Sequence, residues 1–344
     1  MKVAKLYSFN DIRIEDIPIP EIGPGNALIK THACGICSGD VMPWYIEKKA
    51  PVVIGHEPAG EIVELGSSLV TRHSSLSVGD RVFTHHHAPC LTCRFCRRGD
   101  YVQCETWKNT RIIPGGISEY ILIPQINLEN DTLRLPDTLS YEDGTLIEPT
   151  ACVVKALKRA GIRRGDTVLV IGLGIMGQLN VLLARKYGAD RVIGADMIAF
   201  RLNKAKELGA DEVIDVSKDN LTDALRNLTD GIMADVVVVG PNSADAMKQG
   251  IECAGAGGKV LFFTPAKPGE RLTIEPNDLY FKDIDIVTSY SCGPTDTADA
   301  LEIIESGIVS AEKLVTHRFP IEKTAEAFRL TAEAKDSLKS VIVF

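Results

Sequence analysis

The chain has little of what nucleic-acid-binding, membrane-spanning and secreted disulfide-rich proteins need. Lys and Arg total 38 against 46 Asp and Glu, a formal net charge of −8. No basic block exceeds Lys48-Lys49 or Arg163-Arg164, so neither the charge nor its pattern suits a phosphate backbone, and no nucleic-acid partner is expected. No apolar run approaches the roughly 20 residues a bilayer span requires, so no membrane partner is expected either. Residues 1–14 read as a strand with interspersed charges and lack the apolar centre of a secretory leader. Together with thiols that metal binding requires reduced, this sets a cytoplasmic expectation. There is no internal repeat and no low-complexity linker. What remains is ordinary soluble usage: 344 residues, 45% hydrophobic and 24% charged, enough for about two domains, each with its own core.

Cysteine is the exception to this plainness. Of nine cysteines, Cys90, Cys93, Cys96 and Cys104 fall on one short segment, three at two-residue intervals and the fourth after seven more residues. Four thiolates this close converge on a tetrahedral zinc and leave no position for a substrate, which is a structural site. The odd cysteine count argues against a disulfide framework, and spacing alone leaves an iron–sulfur cluster open.

The chain changes character near residue 150. Before it, short strand-like runs at 27–33, 61–65, 81–84 and 117–124 are broken by Gly and Pro, as in a small β-rich domain. After it, strand and helix alternate: strands at 167–172, 191–195, 212–215, 234–239 and 259–263, with helices at 176–187 and 201–208 among them. That is a doubly wound parallel sheet of α/β class. Helical patterning at 297–306 and 321–333 leads to a last strand at 339–344.

Gly172-Leu173-Gly174-Ile175-Met176-Gly177 follows the first strand of that sheet and opens its helix. In this setting the glycines serve a tight turn, a close approach to a pyrophosphate and close helix packing, with the anion at the positive helix terminus. Asp196 ends the second strand about 20 residues further on, where a carboxylate accepts from the adenosine ribose hydroxyls. A 2′-phosphate about 4 Å from it would be repelled by roughly several kcal/mol at intermediate dielectric. The expected coenzyme is NAD rather than NADP. A helix N-cap is the plain alternative for Asp196, and Arg201 flanks the adenine or is a solvated helix residue.

With these features in place, the chain resembles the zinc-containing medium-chain alcohol and polyol dehydrogenases, sorbitol dehydrogenase-like branch, over essentially its whole length. Gly35-Ile36-Cys37 with Asp40, Gly55-His56-Glu57 with Gly60 and Gly66, Gly79-Asp80-Arg81-Val82, Gly115-Gly116 with Glu119-Tyr120, and Glu148-Pro149 carry the resemblance. It implies a GroES-like β-barrel catalytic domain at 1–150 holding both zinc sites, a Rossmann NAD-binding domain at 151–288, and a return of 289–344 to the first domain. It also implies two zinc ions per chain and a homo-oligomer, tetramer or dimer. Cys37, His56 and Glu148 are then ligands of an open catalytic zinc, and Glu57 is an alternating ligand or an orienting group. An open zinc lowers the pKa of a hydroxyl toward about 7 and favours release of hydride to the nicotinamide.

Residue by residue, plainer readings stand beside these. Cys34 reads as a buried strand cysteine, Cys152, Cys253 and Cys292 as small buried hydrophobes, His32 and His73 as surface or loop residues, and Asp40 and Asp80 as structural. The family places Ser or Thr two residues after the first cysteine ligand to take the substrate proton, with His three residues beyond. Here Gly39 and Met42 stand there and Ser38 is displaced by one, so the usual relay is in doubt. His85-His86-His87 falls where relatives line the substrate pocket. A solvated strand end is the alternative, but an inward His86 would make the pocket polar and offers a proton acceptor. Glu148 and His86 favour a polyhydroxylated secondary alcohol as the small-molecule partner, oxidised to a ketone. Amino-alcohol oxidation of the threonine 3-dehydrogenase type is second, and a non-catalytic zinc- and NAD-binding sensor or structural protein is the alternative outside enzymes. Trp44, Tyr45, Lys48 and Lys155 are further pocket candidates.

Overall fold

The computed structural model of the chain describes residues 1–67 and 76–344; His73 lies outside the described residues. The chain divides into two compact units, Met1–Ala151 with Cys292–Phe344, and Cys152–Ser291. No helix among the described residues is long and apolar enough to cross a membrane.

The first unit is built on a seven-stranded sheet in the order Val315–Pro320, Lys339–Val343, Ala27–Gly35, Glu57–Leu65, Arg81–Thr84, Thr132–Arg134, with Tyr120–Ile123 also paired to Ala27–Gly35. Apolar side chains drive this pairing. Ile29, Ile62, Val82, Ile121 and Ile123 are fully buried in one cluster, and Leu6, Cys34, Ile36, Ile117 and Ile342 lie in another, each large aliphatic contributing roughly 1.5–3 kcal/mol. The segment at 1–14, read as one strand, is instead a hairpin: Lys2–Ser8 and Asp11–Asp16 pair antiparallel with Ser8 opposite Asp11. Asn10 and Asp11 supply the turn chemistry that breaks it. The strand read at 117–124 is shorter, Tyr120–Ile123. Ile117 is buried, but its N–H donates to Ile54 and its carbonyl accepts from Ala4, which takes it off the ladder.

The second unit is a six-stranded parallel sheet ordered Glu212–Asp215, Arg191–Asp196, Thr167–Ile171, Ala234–Val239, Ala254–Phe262, Asp285–Thr288. Strand order reverses beside Thr167–Ile171, the switch point at which such sheets bind ligands beyond their carboxyl ends. The helix read at 176–187 is Ile175–Ala184 followed by a single 3-10 turn, Arg185–Tyr187. The strand read at 259–263 begins earlier, at Ala254, because Gly255, Gly257 and Gly258 hide its start behind low strand propensity. Asp285–Thr288 gave no sequence signal, since three of its four residues are exposed at the sheet edge.

Helix Ile147–Ala160 carries the chain from the first unit into the second. Pro149 sits in its first turn, where a missing N–H costs nothing, and Glu148 in that turn complements the positive helix terminus.

Candidate metal centre and coenzyme loop

Three strands converge on one buried point of the first unit. Antiparallel register sets Gly35 opposite Glu57 and Val341 opposite Gly35. Cys37, two residues past the end of its strand, is thereby brought to His56 and Glu57, and the donor atoms of these three lie within 4.8 Å of one another. Gly35 leaves room for Glu57 and Lys339, because a Cβ would overlap Glu57 Oε2 and Lys339 Cε where they stand. Each donor is held from behind. Asp40 Oδ2 lies 3.1 Å from His56 Nδ1, fixing the ring in the manner of metal-binding histidines. Gly39 N–H donates to Cys37 Sγ at 3.3 Å. Lys339 Nζ, 1% exposed, pairs with Glu57 Oε2 and donates to the carbonyl of Ile36 at 3.0 Å.

The electrostatics follow from burial. Burial presses His56 toward the neutral ring, but Asp40 and Cys37 outweigh it and hold the imidazole well above its ordinary range. Burial likewise opposes charge on Lys339, and the Glu57 carboxylate outweighs it, so the ammonium stays above its usual range. Glu57 Oε1, by contrast, is buried with no hydrogen-bond partner among the described residues. A carboxylate oxygen left so, beside a thiol and an imidazole, matches a metal's requirement, and a sulfur, nitrogen and oxygen set suits zinc.

Glu148, read from the sequence as a ligand alongside Cys37 and His56, is buried, and its charge reaches Glu57 and Lys339. Its carboxylate groups within 4.8 Å with His85 and Cys292. The three histidines are not a solvated strand end: His85 and His87 are buried and His86 is half-buried. The His86 ring lies 4.8 Å from that of His56, and its buried Nδ1 has no hydrogen-bond partner among the described residues. Burial, with His87, His85 and His56 adding to it, pushes the His86 pKa well below the ordinary imidazole range. His87 is pushed down to about 3 by burial and Arg111. Cys34 is a buried strand cysteine, its thiol raised to about 12 by burial. Ser38 is exposed. Lys155 donates to the carbonyl of Tyr290 at 2.6 Å, while Lys48 lies over Trp44.

The four cysteines form a separate cluster. Cys93 caps the short helix Arg94–Arg97, Cys96 lies within it, and Cys104 caps Glu105–Asn109. Their sulfurs approach at 3.5, 3.6 and 4.0 Å. A tetrahedral zinc with bonds of about 2.3 Å sets neighbouring sulfurs about 3.8 Å apart, so all four fit one ion. Val102 and Trp107 pack beneath them.

In the second unit, Gly172 has φ +84° and a Cβ at Gly177 would overlap the carbonyl oxygen of Gly172. Both positions therefore exclude a side chain, one for the turn and one for helix packing. Asp196 Oδ2 accepts from Leu173 N–H at 2.7 Å and Oδ1 from Ile198 N–H at 2.9 Å, so this carboxylate fixes the glycine turn and also caps the following segment. Arg201 Nη1 lies 3.7 Å from Asp196 Oδ2. Gly174 caps helix Ile175–Ala184, and a Cβ there would stand in ordinary contact, 3.8 Å from Arg201 Nη1. The residues of the glycine turn and of the helix terminus behind it could hold a nicotinamide coenzyme's pyrophosphate.

Comparison with known proteins identifies the family. The profile of the alcohol dehydrogenase GroES-like domain matches residues 23–137 and that of the zinc-binding dehydrogenases residues 176–306. Sorbitol dehydrogenase of Bombyx mori is 33% identical across 98% of this chain and 97% of its own length. The chain belongs to the zinc-containing medium-chain polyol dehydrogenases. As a member of that family it is a zinc-dependent oxidoreductase with a GroES-like domain and a Rossmann domain. Among solved structures, a zinc-binding dehydrogenase of Sinorhizobium meliloti bound to NADP has a TM-score of 0.88 at 28% identity, covering 100% of this chain and 99% of that one. An alcohol dehydrogenase of Escherichia coli complexed with NADH has a TM-score of 0.88 at 26% identity with the same coverage.

Sequence reading missed two members of this centre. Lys339 opens a strand that carries no other charge, and a lone lysine in such a run is the one signal that could have exposed it. Cys292 carried none.

The ion pair makes a direct prediction. Lys339→Met leaves a buried carboxylate without its counter-charge, at a cost of about 3–5 kcal/mol. Urea unfolding of wild type and variant measures it, and an unchanged midpoint would mean that Glu57 is not held as a charged group.

Proposed function

We propose that this dehydrogenase oxidises a polyhydroxylated secondary alcohol to a ketone with NAD as hydride acceptor. The observation carrying the reading is the donor set of half-buried Cys37 and His56 with buried Glu57, whose Oε1 has no hydrogen-bond partner among the described residues. These residues would hold a catalytic zinc, with Glu57 rather than Glu148 as the oxygen donor, and Cys90, Cys93, Cys96 and Cys104 a structural one. Zinc at the first position supplies Lewis acidity, bringing an alcohol hydroxyl's pKa toward neutrality.

The chain's own residues do the rest. Asp40 and Lys339 keep His56 and Glu57 from turning away. Burial of Glu57, Glu148 and Lys339 excludes water from around the donors and strengthens every charge interaction there. His86, whose cationic form burial disfavours, is a weak proton acceptor, and its unpartnered Nδ1 suits a hydrogen bond to a second substrate hydroxyl. With Gly39 at the relay position and Ser38 exposed, the proton leaves through water or Ser38. The polyol assignment is supported by this polar His86 beside His56 and by similarity to sorbitol dehydrogenase.

Asp196 supports NAD. Its carboxylate ends the second strand beside the glycine turn, so a 2′-phosphate would meet like charge. An assembly of identical subunits is supported by the edge strand Asp285–Thr288, beside which Tyr280, Phe281 and Tyr290 are exposed at 77%, 78% and 56%, an uncovered edge of the kind that pairs with another chain.

The test is a panel of sorbitol, erythritol, cyclitols, threonine and simple secondary alcohols with NAD and with NADP, following reduced nicotinamide absorbance. Turnover is expected with polyols and NAD, and Cys37→Ala is expected to abolish it while NAD binding persists. Preference for NADP would remove the reading of Asp196, and activity confined to threonine would remove the polyol.

His86→Phe separates recognition from proton transfer. If His86 binds a second hydroxyl, kcat/KM falls by about tenfold or more on polyols, the worth of one lost polar contact, and simple secondary alcohols are untouched. An equal loss on all substrates would assign His86 to proton transfer instead.

A further inference from the structure

His86 stands beside His56, ring centroids 4.8 Å apart, but little of its own holds it there. Its Nδ1 has no hydrogen-bond partner among the described residues. Strand Arg81–Thr84 ends two residues before it, so no ladder fixes its backbone. The aim of the ring is set by the residues on either side.

On one side is His85. Its N–H donates to the carbonyl of Asp131 at 3.0 Å, its Nδ1 lies 2.9 Å from Asp131 Oδ2, and its carbonyl accepts from Asn127 Nδ2 at 3.1 Å. On the other side the Thr110 hydroxyl clamps Ala88. Ala88 N–H donates to Thr110 Oγ1 at 2.8 Å, and the hydroxyl proton is shared between the carbonyls of Ala88 and Trp107 at 3.2 and 3.3 Å. Between these anchors the His87 ring stacks on Trp107, centroids 4.1 Å apart at 29°, and lies 4.1 Å from the His86 ring. Trp107, His87, His86 and His56 thus form one row of rings.

The far end of that row belongs to the four-cysteine lobe. Trp107 is buried in helix Glu105–Asn109, which Cys104 caps. The histidine run enters the same lobe at Cys90, whose N–H donates to Cys104 Sγ at 3.4 Å. Segment 88–110 is a loop closed twice at its neck, by Cys90 with Cys104 and by Ala88 with Thr110.

We propose that Trp107 and Thr110 are positioning residues for His86, and that the four-cysteine lobe thereby sets the preference for polyols. The proposal rests on the reading of His86 as the contact for a second substrate hydroxyl. Packing against Cys96, Val102 and Cys104 accounts for Trp107 as a core residue of the lobe. It does not account for an indole laid along a histidine whose neighbour stands beside the metal donors. A flat ring fixes the tilt of the ring stacked on it, as an aliphatic side chain does not.

Crystals of Trp107→Leu and Trp107→Phe, beside those of wild type, test this without reference to any substrate. The His86 ring should be displaced from His56 in Trp107→Leu and restored in Trp107→Phe. A His86 ring unmoved in Trp107→Leu overturns the proposal. In kinetics, the ratio of kcat/KM on polyols to that on simple secondary alcohols should fall about tenfold in Trp107→Leu, the worth of the His86 contact, and recover in Trp107→Phe. The double variant with His86→Phe should fall no further than His86→Phe alone, because a residue acting only through another adds nothing once that other is gone. A wild-type ratio in folded Trp107→Leu, where His86→Phe lowers it, makes Trp107 a core residue only and overturns the proposal. If His86→Phe itself leaves the ratio unchanged, the reading of His86 as a polyol contact fails, and the crystals still decide what Trp107 does. Should Trp107→Leu not fold, Thr110→Val releases Ala88 without emptying the core of the lobe and carries the same two measurements.

Discussion

A buried charge must be answered by another charge, and in this protein the constraint is met at Glu57. Its carboxylate sits at the start of an internal strand with 1% exposure, one oxygen paired to Lys339 and the other without a hydrogen-bond partner among the described residues. Gly35, which has no side chain, leaves room for the pair, and strands Ala27–Gly35, Glu57–Leu65 and Lys339–Val343 hold it in one register. A one-residue slip in any of them would turn Glu57 or Lys339 to the opposite face. The apolar clusters on either side of the sheet fix that register, so packing and metal chemistry are parts of one requirement.

The same constraint distinguishes the two oxygens of Glu57. Lys339 neutralises the carboxylate enough for it to remain buried, yet leaves Oε1 available to a cation. A carboxylate with no partner would be driven to protonate. One with both oxygens occupied would have nothing to offer a metal. His56 follows this logic with Asp40 behind it, and His85 with Asp131 behind it. In each case a second charged group makes the first usable.

Much of the molecule was legible in its sequence, and what was legible was local. The four cysteines lie within one short segment, the glycine fingerprint lies between its strand and helix, and Cys37 and His56 stand in motifs a few residues long. Strands with alternating or continuous apolar character were found with ends displaced by a few residues. What escaped depends on contacts between distant residues. Lys339 lies 282 residues from Glu57 and Cys292 207 from His85, and no periodicity links such pairs. Glu148 shows the limit from the other side. The Glu-Pro motif marked it as functional, but only the fold reveals that its carboxylate groups with His85 and Cys292 as well as facing Glu57. The hairpin at Asn10 and the strand beginning at Ala254 were missed for a simpler reason, since turn residues and glycines interrupt the apolar pattern without ending the structure.

The central claim is that the substrate hydroxyl meets a metal held by Cys37, His56 and Glu57. The visible spectrum of the protein with cobalt replacing the metal there tests it most directly, because cobalt's absorption reports its own ligands. Addition of an alcohol that the enzyme turns over should shift those bands, and the shift should be absent in Cys37→Ala. Bands unmoved by a saturating, actively oxidised alcohol would contradict the account.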